Sequence, residues 1–294
     1  MEEKEKFPSI DNQPPSESGA HETVISLVNV DYSHPNGVAA LRDISLSISR
    51  GELVAILGTN GAGKSTLVRH INALLKPTHG RVLVFGTDTK KTTSAILSRK
   101  VGIVFQNANN QLFSDSVKSE IQFGLRNFGF SQEIVEERTR WALNTFSLEQ
   151  YEDRPPMELS GGEKKRLCNA LVLAWDPEIL ILDEPTVGQD WEQKERLVEM
   201  IRMFQRQKKT VIIVTHDVEF IWPLQPRALL MTGGKIVADG PANEVLGNLG
   251  KMAEANVLPP QLVDLFSLLN FKSGFPANVF QARDEIAKLG GGSQ

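Results

Sequence analysis

Apolar and polar positions change rhythm several times along the chain, and each change predicts a different element. The stretches Val24 to Ser33 and Leu41 to Ser49 read as early strands. Short unbroken apolar runs follow: Leu53-Val54-Ala55-Ile56-Leu57, then Val101-Gly102-Ile103-Val104-Phe105, Ile179-Leu180-Ile181-Leu182 and Val211-Ile212-Ile213-Val214. Runs of this length predict strands buried on both faces of a mainly parallel sheet. Arg81 to Phe85 predicts one more strand. Between the second and third runs the pattern turns helical, over Asp115 to Phe128 and Ser131 to Phe146, with Ile134, Trp141, Ala142 and Phe146 expected to share a face. Ala228 to Gly240 predicts a hairpin turning at Gly233-Gly234. Past Pro241, Leu262, Leu265, Phe266 and Leu269 form a helix-compatible stripe, facing either the chain's own core or a dimer partner.

Composition narrows the class without deciding it. A chain of 294 residues with 40% hydrophobic residues can bury a large core and carry an appendage. Its formal net charge of -4 leaves no basic field, so no nucleic-acid partner is expected, and Lys208-Lys209 reads as a solvated helix end. The single cysteine, Cys168, permits no internal disulfide and predicts a reducing compartment, with the thiol acting as a small buried hydrophobe. Residues 1–23 are charged and rich in Pro, Ser and Glu, which predicts a disordered tail and not a signal peptide or anchor. No apolar run is long enough to span a bilayer, so any membrane role has to come through another subunit. Residues 290–294 read as a flexible tail.

Three motifs carry the chemistry. The first is Gly58-Thr59-Asn60-Gly61-Ala62-Gly63-Lys64-Ser65-Thr66, which follows an apolar strand and opens a helix, as a phosphate-binding loop does. Glycines let backbone N–H groups turn inward and approach phosphates, and the helix adds its positive end. Lys64 would reach the β- and γ-phosphates, and the Ser65 hydroxyl would be a magnesium ligand. The second motif is Asp183-Glu184 at the end of a buried strand, where two carboxylates are costly unless a cation or a proton transfer uses them. Asp183 is the natural magnesium partner, and Glu184 is placed to polarise an attacking water. The third is Leu159-Ser160-Gly161-Gly162-Glu163, a serine and two glycines opening a helix, hence a second phosphate-binding N-terminus with Ser160 as cap.

Together these motifs resemble the ATP-binding-cassette (ABC) family of ATPases. The resemblance implies an α/β fold: a P-loop NTPase cassette with a mixed β and α/β core over residues 24–247. A helical subdomain at about 107–174 would carry the signature, and a short helical extension would occupy 248–289. It implies ATP and Mg2+ as ligands. In that family the Ser160 to Glu163 signature faces the γ-phosphate held by another subunit, so a second cassette, identical or merely similar, is required. It also assigns Gln106 to the magnesium-proximal Q-loop, His216 to the γ-phosphate switch, Tyr32 to the adenine platform and Asp190 to the loop that crosses the dimer interface. Gln189 departs from the apolar residue commoner at its position.

Finer wording narrows the resemblance further. Asn72-Ala73-Leu74-Leu75-Lys76-Pro77, Val104-Phe105-Gln106-Asn107 with Asn110-Gln111-Leu112-Phe113, Phe123-Gly124 and Leu258-Pro259-Pro260 are similar to the ATPases of cobalt-type and energy-coupling-factor (ECF) importers. Those ATPases sit at the cytoplasmic face of the membrane and drive uptake of vitamins or transition-metal ions, with a transmembrane scaffold and a small substrate-binding membrane protein as partners. An ATPase of another ABC transporter class, or a soluble ABC ATPase, would share the same motifs. The absence of a long coiled-coil insertion and of a second cassette argues against the soluble class.

Overall fold

A computed structural model describes residues 22–271 and 274–290. Of the expected tails at 1–23 and 290–294, residues 1–21 and 291–294 lie outside the described residues, while Thr23 already belongs to the first strand and Gly290 to the last helix.

Two sheets form the body. Strands β1 (Thr23–Ser33), β2 (Ala39–Ser49), β4 (His79–Val84) and β5 (Thr87–Asp88) make an antiparallel sheet in the order β2-β1-β4-β5. The larger sheet has the order β10-β9-β3-β8-β7-β6 and uses β3 (Leu53–Leu57), β6 (Val101–Val104), β7 (Ile179–Asp183), β8 (Thr210–Thr215), β9 (Arg227–Thr232) and β10 (Lys235–Pro241). Its four pairings from β9 to β6 are parallel, and only the edge strand β10 joins antiparallel, to β9. The uninterrupted apolar runs became β3, β6, β7 and β8, each buried throughout, as a strand covered on both faces must be.

Alternation along these strands divides the core in two. Leu53, Ala55 and Leu57 point to one side with Leu180, Leu182, Val211 and Ile213, while Val54, Ile56, Ile181 and Ile212 point to the other. The second side packs on the antiparallel sheet and on helix α1 (Lys64–Ile71), through Leu67, Val68 and Ile71. The first side carries most of the remaining helices. In chain order these are α2 (Ser94–Leu97), α3 (Val117–Asn127), α4 (Gln132–Thr145), α5 (Gly161–Ala174), α6 (Trp191–Arg206), α7 (Val218–Ile221), α8 (Ala242–Val245), α9 (Leu249–Glu254), α10 (Gln261–Leu268) and α11 (Val279–Gly290). Helices α3, α4 and α5 all fall between β6 and β7, so the segment is a helical insert on the parallel sheet.

Three details correct the sequence expectations. The inner face of α4 is Val135, Arg138, Thr139, Ala142 and Leu143; Ile134, Trp141 and Phe146 lie at its edge. Arg138 takes a core position because its guanidinium donates to the Ala174 carbonyl at 2.8 Å, which satisfies a charge no periodicity rule would place inside. The α10 stripe also splits, with Val263 and Phe266 buried while Leu265 and Leu269 are exposed. Lys208 is exposed as expected, but Lys209 is tucked against Asp176 and over the Phe204 ring.

Candidate nucleotide site

The parallel register places the ends of β3, β8 and β7 side by side, with Leu57 opposite Thr215 and Asp183 opposite Val214. Residues 58, 184 and 216 therefore leave the same edge of the sheet, the edge where open α/β sheets hold ligands.

Two glycines of the first motif are there for steric reasons. Gly58 has φ +150°, and a Cβ on it would lie 2.3 Å from the Met231 carbonyl oxygen. Gly63 has φ +103°, and its Cβ would meet the Ala40 carbonyl at 2.5 Å. Both contacts are far inside van der Waals range, so the loop folds only without side chains at these points. The first also reveals a support that sequence reasoning missed. The β9–β10 hairpin backs the loop, and Gly234 at its turn donates from N–H to the Ala62 carbonyl at 3.1 Å. Helix α1 starts at Lys64 with no side-chain cap and no acid in its first turn, which leaves its N–H groups for an anion.

Lys64 is almost fully buried, and its ammonium donates to the carbonyls of Gly58 at 2.7 Å and Thr59 at 3.1 Å. Burial pulls its pKa down, while Glu184 and Asp183 oppose the shift. The Ser65 hydroxyl donates to Asp183 Oδ1 at 3.2 Å. Asp183 is 4% exposed, and burial raises its pKa despite that hydrogen bond. Glu184 is 5% exposed with φ +49°, an unusual backbone for a residue with a side chain. Its carboxylate accepts from the Thr215 hydroxyl at 3.1 Å and the His216 N–H at 3.4 Å, and lies 2.9 Å from His216 Nδ1. His216 itself is mostly exposed. The structure thus brings Lys64, Ser65, Asp183, Glu184 and His216 together.

Thr59, Asn60 and Gly61 form the outer rim of the loop, with Asn60 and Gly61 exposed, and Thr66 continues α1. Tyr32 is half-buried on β1, its ring edge-on to His34 at 5.1 Å and His70 of α1 at 4.8 Å. Gln106 is exposed just past β6, and its side chain makes no hydrogen bond among the described residues. The backbone around it is held by Gln111, which the sequence offered only as part of a family-like run, and by Lys165, which pattern reasoning passed over. Gln111 accepts from Phe105 N–H at 3.0 Å and donates to the Ile103 carbonyl at 3.2 Å, and Lys165 of α5 donates to the Phe105 carbonyl at 3.1 Å. Lys165 is buried by these tertiary contacts, and no local pattern marks it.

The signature stands apart from this cluster. Ser160 caps α5, accepting from Glu163 N–H at 3.4 Å, while Glu163 accepts from Ser160 N–H at 2.7 Å. Tyr151 and Ser160 hold the Glu163 carboxylate below its usual range. Gly161 is exposed, with open space where a Cβ would stand. A hollow of about 460 Å³ joins Gly161, Lys164 and Lys165 to residues 106–109 and to Val187 and Gly188, but none of residues 58–66 lines it. Asp190 caps α6 by accepting from Gln193 N–H at 2.9 Å. Cys168 is buried, its thiol pushed up to about 12 by desolvation.

A family model for ABC transporters matches residues 41–187, half of the chain, and spans the phosphate loop, the signature and the acidic strand. The energy-coupling factor transporter ATP-binding protein EcfA of Methanothermobacter thermautotrophicus is 40% identical over 258 residues, covering 87% of this chain and 83% of that protein. The chain belongs to the ABC transporter ATP-binding family. Among solved structures, this cassette is similar to cbiO1 of Clostridium perfringens, described as part of the ABC transporter complex cbiONQ, with 35% identity and a TM-score of 0.68 over 84% of this chain and 99% of that one. It is also similar to the ATP-binding cassette MJ0796, solved as a dimer in a post-hydrolysis state with ADP and Pi, at 28% identity and a TM-score of 0.67 over 74% and 98% of the two chains. The cassette has no helix among its described residues long and apolar enough to cross a membrane.

The residues present fit Mg2+. A buried carboxylate beside a serine hydroxyl supplies hard oxygen donors, few in number, as suits an ion that keeps most of its ligands from phosphates and water. Among the described residues no group of three or more His, Cys, Asp or Glu could form a full protein cage.

Proposed function

We propose that the chain is the ATP-hydrolysing subunit of a membrane importer of the ECF or cobalt type, acting as one of two cassettes at the cytoplasmic face of the membrane. The cargo would be a vitamin or a transition-metal ion. The carrying observation is the division of candidate phosphate-binding groups within one chain, with one half at 58–66, 183–184 and 216, anchored by the buried Lys64, Asp183 and Glu184, and the other at 160–163, apart from it. Two chains facing one another would join the first half of each to a partner's signature. The similarity to EcfA and cbiO1 supports the transporter class.

In this reading the phosphate loop and α1 hold the β- and γ-phosphates, and Lys64 leaves the loop carbonyls to bind them. Ser65 and Asp183, with Gln106 nearby, would hold Mg2+, which when bound offsets charge on the transferring phosphoryl group. Glu184 accepts a proton from the attacking water, oriented by Thr215 and His216. Tyr32 would stack on adenine, and Asp190 would lie at the interface between cassettes. ATP bridges two cassettes; hydrolysis removes the shared contact and lets them separate. Phe113 and Phe123 are exposed and packed edge-to-face at 4.8 Å close to the Gln106 loop, which offers an apolar foothold for a membrane scaffold.

The test is affinity isolation of Glu184→Gln from detergent-solubilised membranes of the source, with mass spectrometry of what co-purifies. One scaffold-type membrane protein with a small hydrophobic substrate binder is the expected result. Recovery of only soluble or nucleic-acid-associated partners would overturn the importer and leave the ATPase.

A further inference from the structure

On the far side of the signature helix lies a cavity of about 420 Å³, enclosed by α4, α5 and α6. That size suits a small organic molecule. Trp141 and Phe146 give it an aromatic wall, and Met200 and Met203 add apolar surface. Arg166 of α5 and Arg196 and Arg202 of α6 bring positive charge, against a single lining carboxylate, Glu199. Arg196 is partly engaged by Glu192 at 2.7 Å.

Three buried polar atoms belong to residues of this wall and have no hydrogen-bond partner among the described residues: Arg166 Nε, Asn169 Oδ1 and Gln193 Oε1. Native proteins rarely leave such atoms unsatisfied without a reason. These atoms have almost no accessible surface as the side chains stand, so a ligand meets them only once those side chains turn toward the cavity. Arg166 then needs an acceptor, and Asn169 and Gln193 need donors.

We propose that this cavity binds an aromatic organic anion carrying hydrogen-bond donors, and that its occupancy slows the ATPase cycle. The acidic group sits among the arginines, the ring lies against Trp141 and Phe146, and the donors satisfy Asn169 and Gln193. Coupling runs through Gln193. Its Nε2 is 3.4 Å from Asp190 Oδ2, and a Cβ on Gly162 would lie only 3.0 Å from the same nitrogen. Pro185 and Gln189, from the segment between β7 and α6, line the cavity as well. A ligand that holds Gln193 therefore sets the spacing between the signature helix and α6, which belong to the helical insert and the core. A molecule that favours one spacing opposes any cycle that must visit two. The binding half of the proposal stands alone, and the coupling half rests on the ATPase reading.

The probe is 8-anilinonaphthalene-1-sulfonate, an aromatic sulfonate with one N–H donor, titrated by fluorescence into the full chain with ADP and Mg2+ saturating the nucleotide site. One molecule per chain is expected. Arg202→Glu, at an exposed position of α6, weakens it at least ten-fold, and Thr145→Trp, which fills the mouth from an exposed position of α4, removes it. Saturation lowers wild-type turnover at least three-fold and leaves Thr145→Trp unaffected. Binding that ignores both substitutions, or that never saturates, overturns the site. A saturated site with unchanged turnover overturns the coupling. A chain with no ATP hydrolysis under any condition would fail the ATPase reading while the binding result stood on its own.

Discussion

Two helices of this chain begin at glycine-rich N-termini of the kind that suits phosphate, and the two ends are built in opposite ways. Helix α1 begins uncapped, in a half-buried loop whose glycines are wedged against Met231 and Ala40. Helix α5 begins exposed, with Ser160 and Glu163 capping one another and nothing beside Gly161. The first end has N–H groups that only an anion or water can satisfy. The second is already partly satisfied, and so gains less from a phosphate. A strong receptor paired with a weak one suits a nucleotide that stays on its own chain while the partner closes and leaves. A second tight receptor would hold the dimer shut.

The largest expected effect tests the buried half. Glu184→Gln keeps the shape and the Thr215 contact but removes the base, and turnover should fall about 10²- to 10⁴-fold. ATP should still bind, and size-exclusion chromatography with ATP should show a dimer that persists. Wild-type turnover in this variant would remove Glu184 from the chemistry. Next is Gly161→Ala, which separates the two helix ends. A methyl group there meets nothing within 4 Å, so thermal stability should be unchanged or slightly higher. Turnover should nevertheless fall about 100-fold, because the methyl stands where a partner's phosphate would approach the helix. The same change at Gly58 should instead destabilise the fold, lowering the unfolding free energy by about 2 kcal/mol or more in urea titration, since Cβ and the Met231 carbonyl cannot share the space. If Gly58→Ala is tolerated and Gly161→Ala unfolds the protein, the contrast between the two ends is wrong.

Much of this contrast was legible in the sequence, for reasons that differ by element. The unbroken apolar runs at 53–57, 179–182 and 211–214 could only be doubly covered strands, and their ends bring the candidate site residues together. The loop, the acidic pair and the signature were readable because each needs particular atoms at fixed spacing. Legibility failed where tertiary contacts override local pattern. Arg138 faces inward because Ala174 offers a carbonyl, and Lys165 is buried because the Gln106 loop offers two. Neither partner is near in sequence. The hairpin behind the phosphate loop was likewise visible as a hairpin, but nothing local tied Met231 to Gly58.

The smallest expected effect concerns the strain the buried half carries without nucleotide. Burial raises the Asp183 pKa, with Glu184 adding to the shift, so folding favours the protonated form. The folded chain therefore binds more protons than the unfolded one in the interval above the ordinary value of 3.8. Stability from this group is present at low pH and is lost as pH rises through that interval. At pH 7 the burial of Asp183 is a liability in the nucleotide-free protein, and Asp183→Asn should raise its unfolding midpoint by about 2 °C. Taking both proteins down toward pH 4 should close the gap, because the wild-type carboxyl then becomes neutral as well. Adding Mg2+ and ATP should also close or invert it, since a cation beside Asp183 makes the charge favourable again. A gap that is flat with pH would mean that burial does not govern Asp183. A gap that survives Mg2+ and ATP would mean that this carboxylate is not the one holding the ion.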